Sequence, residues 1–144
     1  MTDLKLLALD SEDLEVISAH TQDAVIRVGE MGYVADDQRF AFLMNRFAWE
    51  ADSKRGKGQR KRAAIHFDRV TQVKVSGIDL DAKDGVLELL TMTFEIADEP
   101  SGVVLLAFAG GGSIKLSVEC LEARMQDLGA AWGAKGTPQH DLTN

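Results

Sequence analysis

The feature that most constrains this chain is a two-residue alternation, punctuated by glycine, that fills its second half. Ala63, Ile65, Phe67, Val73 and Val75 share one parity, interrupted by Arg69 and Thr71, while His66, Asp68, Gln72 and Lys74 share the other. Leu90, Met92, Phe94 and Ile96 stand opposite Thr91, Thr93 and Glu95. Ile114, Leu116 and Val118 alternate with Lys115, Ser117 and Glu119. A period of two sends successive side chains to opposite faces, so each segment reads as a half-buried strand, the first bent near Arg69. The run 103–108 is continuously apolar and reads as a buried strand. Turns fall at the acidic stretch 77–85, at Asp98-Glu99-Pro100-Ser101-Gly102 and at Gly110-Gly111-Gly112.

The first half is more varied. Residues 4–9 read as a short strand. Asp10 or Ser11 can cap a helix whose acidic first turn suits the helix dipole, and Leu14, Ile17, Ala24 and Val28 fall at helical spacing, predicting a helix at 11–24. Gly29 and Gly32 end that pattern. Residues 31–35 and 39–49 read as a hairpin around Ala35-Asp36-Asp37-Gln38. Leu121, Met125 and Leu128 lie at i, i+4 and i+7, with Trp132 a turn further. They predict a closing helix at 119–128 ended by Gly129.

The fold class expected is α+β. Six or seven mostly antiparallel strands form a small barrel or curved sheet of pleckstrin-homology type, with a helix after the first strand and another closing one end. At 144 residues with 45% apolar content, one core suffices. The expectation is a single domain over 1–134 with a frayed polar tail at 135–144.

Charge is distributed unevenly. The net charge is −7, which argues against a protein coated with positive charge for nucleic acid. Yet Lys54, Arg55, Lys57, Arg60, Lys61 and Arg62 crowd into one stretch, 52–62, that holds no apolar side chain and reads as a mobile loop. The other ten basic residues face twenty-three acidic ones, leaving the remainder at −13. Such polarity suits a phosphate, a nucleic acid or an acidic partner; it also suits a loop kept charged for solubility. No aromatic side chain lies within the stretch to stack on bases.

Arg46 and Trp49, in Asn45-Arg46-Phe47-Ala48-Trp49-Glu50, form a second candidate contact. An exposed Trp beside Arg would anchor a protein partner. Alternatively, Phe47 and Trp49 enter the core and Arg46 pairs with a carboxylate.

Other chemistries lack their patterns. The triple glycine precedes a strand, whereas a phosphate-cradling loop precedes a helix. Asp79, Asp81 and Asp84 miss calcium-loop register, because Lys83 takes the fifth position and Leu90 stands where the bidentate Glu is needed. His20, His66 and His140 show no zinc spacing. His66 with Asp68, and His20 with Asp23, share a face and could orient an imidazole, but no Ser or Cys nucleophile is placed beside them. Cys120 reads as a packed side chain.

Three stretches carry a resemblance. They are Leu4-Lys5-Leu6-Leu7-Ala8-Leu9-Asp10 with Asp13-Leu14 and Gln22-Asp23-Ala24-Val25; Leu43-Met44-Asn45-Arg46-Phe47-Ala48-Trp49-Glu50; and Phe108-Ala109-Gly110-Gly111-Gly112-Ser113-Ile114, continuing through Val118-Glu119-Cys120-Leu121-Glu122 to Asp127-Leu128-Gly129. In these the chain resembles DUF2948, an alphaproteobacterial family of unknown function, over nearly its whole length. The resemblance implies a bacterial cytoplasmic protein and brings no reaction, cofactor or catalytic residue.

The functional expectation is a non-enzymatic cytoplasmic binding or adaptor module with a protein partner and no cofactor, metal or membrane. Nucleic-acid or phosphate binding through the basic stretch is the alternative, and a small enzyme the third class. A homodimer through an unpaired edge strand is also compatible with the pattern. A single cysteine needs no oxidising compartment, and the apolar run before Asp10 is too short for a signal peptide.

Overall fold

The computed structural model describes residues 4–48 and 59–130. Along the chain run β1 (Lys5–Ala8), α1 (Ser11–His20), β2 (Val25–Arg27), β3 (Met31–Val34), β4 (Arg39–Ala48) and β5 (Gln59–Phe67). Then follow β6 (Val70–Ser76), β7 (Val86–Ile96), β8 (Gly102–Phe108), β9 (Ser113–Val118) and β10 (Ala123–Ala130). The strands form one antiparallel sheet in the order β1-β10-β5-β4-β2-β7-β8-β9-β6, with β3 attached to β4.

Alternation explains the core. Phe40, Phe42 and Met44 on β4, Ala63, Ile65 and Phe67 on β5, and Val104, Leu106 and Phe108 on β8 all point inward and are buried. Ile114, Leu116 and Val118 on β9 join them. Each large apolar side chain so buried contributes about 1.5–3 kcal/mol before conformational entropy is counted. Leu14 and Ile17 add the apolar stripe of α1 to this face. Asp10 caps α1 by accepting from Asp13 N at 2.8 Å, and Asp13 reaches back to accept from Leu9 N at 3.0 Å.

Several expectations are overturned. The sheet is open and has ten strands among the described residues, so it is not a small barrel of six or seven. No helix closes it among the described residues: 123–130 is β10, paired with β1 on one side and β5 on the other. The parity 121, 123, 125, 127 is buried throughout, and that period of two outcompetes the helical stripe. Leu128, assigned to the stripe, is 52% exposed. The first helix ends at His20, where Thr21 Oγ1 donates to Ile17 O and Thr21 N to Ser18 O. Asp23 then turns with φ 67°, and Ala24 continues toward β2.

On β7 the register shifts between Leu89 and Thr91. This bulge puts Leu89 and Met92 inside together and leaves Leu90 exposed, which breaks the parity expected from Leu90 onward. The β3–β4 and β8–β9 hairpins form as expected, the latter through Gly110 and Gly111 at positive φ.

At Asp68 and Arg69 (φ 63°) the chain leaves β5 for β6, the far end of the sheet. Val70 N donates to Gln38 O and Tyr33 Oη to Val70 O, so curvature brings the start of β6 beside the β3–β4 hairpin. No helix among the described residues is long and apolar enough to cross a membrane.

Candidate functional site

The three strands β4, β5 and β10 carry polar groups on both faces. On the inner face, Arg46 grips Asp127 with two hydrogen bonds of 2.8 Å, and both side chains are 0% exposed. Asp127 Oδ2 also accepts from Leu4 N at 2.9 Å, and Arg46 Nη1 donates to His20 O at 3.4 Å. Burial pushes the Asp127 carboxyl up, but the hydrogen bonds from Arg46 and Leu4 N–H and the charges of Arg46 and Lys61 outweigh it. The group therefore sits below the ordinary carboxylate range. This clamp ties β1, α1, β4 and β10 together.

The outer face differs. Cross-strand register sets Leu7, Arg124, His66, Ala41 and Gly32 in one row, and Lys5, Gln126, Ala64 and Leu43 in the next. Between these rows lies a hollow of about 380 Å³. Ala64 contributes only a methyl group to its lining, and Leu7 and Leu128, 44% and 52% exposed, line it as well. Lys5, His66 and Arg124 line it, and no carboxylate does among the described residues.

His66 is set by a relay from the strand ends. Its Nδ1 is buried 3.2 Å from Asp68 Oδ2, without a hydrogen bond aligned between them. Asp68 Oδ1 accepts from Arg39 Nε at 2.7 Å, and Asp68 N donates to Glu122 O. Glu122 in turn lies 3.5 Å from Arg69 and 4.0 Å from Arg124. The side chain is 26% exposed, and with Nδ1 buried its Nε2 edge is the one left to donate to or accept from a ligand.

The sequence candidates are scattered by this geometry. Arg46 is not a surface contact: even positions of β4 face inward, so it pairs with a carboxylate in the core. Phe47 faces outward rather than into the core, with the Arg60 guanidinium 4.7 Å over its ring. The basic stretch is not loop throughout, because residues 59–62 belong to β5. Lys61 is buried on the inner face, while Arg60 and Arg62 point outward. Arg62 pairs with Glu30 at 2.8 Å. Lys54, Arg55, Lys57 and Trp49 lie outside the described residues. Of the pairs noted in the sequence, His66 and Asp68 do meet, whereas Asp23 lies beyond the end of α1. Arg39 and Arg124 were missed because only strand register brings them to His66.

What the fold and site define is an open antiparallel sheet protein with one α-helix among the described residues and a basic hollow on its outer face. The chain belongs to the DUF2948 family, described as a protein of unknown function, whose model matches residues 4–140. No curated protein and no solved structure matches the chain.

Proposed function

We propose that this protein is a non-enzymatic binding module that docks a protein partner on the outer face of β1, β10 and β5. The observation that carries this reading is the hollow itself: exposed Leu7 and Leu128 flank three bases set on rigid strands. Buried apolar anchors beside a few fixed polar groups are the usual makings of a docking site. No Ser, Thr or Cys lines the hollow among the described residues, so His66 has no hydroxyl or thiol there to activate. Cys120 forms no disulfide and demands no oxidising compartment, which supports a cytoplasmic setting.

A pull-down from cell lysate tests this against the basic stretch. Wild type is compared with Leu128→Glu and with a variant carrying Ser at Lys54, Arg55 and Lys57. A partner lost with Leu128→Glu and retained by the serine variant supports the hollow. The reverse pattern transfers the function to the basic stretch, whose Arg60 and Arg62 share the outer face of β5. That second reading further requires binding that weakens steeply with salt.

A further inference from the structure

The geometry points to an oxyanion site in the hollow, taking a carboxylate or phosphate carried on a short apolar body, with His66 Nε2 and Arg124 as its two main contacts. It rests on the docking reading above and names the chemistry that the partner must present.

Arg124 and His66 are direct cross-strand partners on β10 and β5. Lys5 stands one row away on β1, opposite Gln126. Arg124 and His66 each have a carboxylate neighbour, Asp68 3.2 Å from His66 and Glu122 4.0 Å from Arg124. In a protein of net charge −7, the hollow is lined by Lys5, Arg124 and His66 and by no carboxylate among the described residues. Asp68 and Glu122, the carboxylates beside His66 and Arg124, do not line the hollow. Asp68 is held by Arg39, and its other oxygen lies 3.2 Å from the buried Nδ1. A bound oxyanion would therefore meet an imidazole backed by a carboxylate on one side and a guanidinium on the other. Leu7 and Leu128 flank this pair and would cover the apolar body. The volume of about 380 Å³ falls at the small end of the range for small-molecule sites.

The test is a titration of the full chain followed by NMR at the His66 ring proton. The probes are hexanoate, hexyl phosphate, inorganic phosphate and hexylammonium. Saturable shifts with hexanoate or hexyl phosphate and none with hexylammonium are expected, and the two acids show which oxyanion is preferred. Inorganic phosphate should bind more weakly than hexyl phosphate, since it leaves Leu7 and Leu128 uncovered. Arg124→Gln should weaken binding about tenfold, the loss of one charge-assisted hydrogen bond. Lys74→Gln, on exposed β6, should leave it unchanged. Backbone spectra of Arg124→Gln should match wild type outside the hollow, which separates lost contact from lost fold.

Absence of saturable shifts with every anion, an equal response to hexylammonium, or full affinity in Arg124→Gln would overturn the assignment. The two readings fail separately. A partner lost with Leu128→Glu but kept by both Arg124→Gln and His66→Ala leaves docking standing and removes the oxyanion site.

Discussion

β4 carries two arginines that meet two aspartates, one on each face of the sheet, and the contrast between them separates scaffold from site. Arg46 and Asp127 are both 0% exposed and joined by two bonds of 2.8 Å. Arg39 is 49% exposed and Asp68 16%, joined at 2.7 Å. The two arginines are seven residues apart, an odd spacing that sends them to opposite faces. Inside, desolvation makes the pair intolerant of losing either partner while yielding little net stability. Outside, water screens the pair, so its energetic worth is small. What it does instead is hold a charge beside His66.

The largest expected effect breaks the inner pair. Asp127→Ala leaves the buried guanidinium without its carboxylate and Leu4 N without its acceptor. It should lower stability by about 3–5 kcal/mol in a urea titration. The double variant Arg46→Met, Asp127→Leu removes both charges and should recover most of that loss. A single-variant loss near that of a surface pair would mean the clamp reading is wrong.

Acid should probe the same pair more gently. Because the folded-state pKa of Asp127 is lowered, the unfolded chain takes up the proton first as pH falls. The contribution is fully present above the ordinary carboxylate range and is lost as pH falls through the lower folded value. Urea midpoints measured down the acid limb should therefore fall more steeply for wild type than for the double variant. Parallel limbs would show that other carboxylates dominate.

The same pair explains what the sequence concealed. The β3–β4 and β8–β9 hairpins and the Asp10 cap were legible because their local patterns are unbroken. β10 was not. Its inward parity runs Leu121, Ala123, Met125 and then Asp127, a charge where a strand reading wants an apolar residue. The stripe Leu121, Met125, Leu128 satisfied a helix instead. β4 shows the matching flaw, with Arg46 following Phe40, Phe42 and Met44 on its inward parity. Each intruder alone weakens a strand assignment; the two are complementary in charge and cancel only in three dimensions. Lys61 misled in the same way, since a charged run gives no sign that one stem turns inward. The hollow was half legible: His66 and Asp68 are two apart on one chain segment, but Arg124 and Lys5 reach it through register that local patterns do not encode.

The smallest effect on stability should come from the outer pair, and there the function should respond most. Asp68→Ala removes the acceptor of an arginine half in water, so the cost should be about 0–1 kcal/mol. The His66 ring then loses the carboxylate beside Nδ1. With that neighbour gone the ring is less firmly positioned, so it should hold an oxyanion less well even though Arg124 is untouched. The expected signature is a folded protein of near wild-type urea midpoint whose His66 ring proton moves and whose hexanoate affinity drops. Arg39→Ala should give a weaker version of the same result, since it frees Asp68 without deleting it. If Asp68→Ala instead costs as much stability as Asp127→Ala, the two faces are not different in kind, and the outer pair is a second clamp rather than a support for the site.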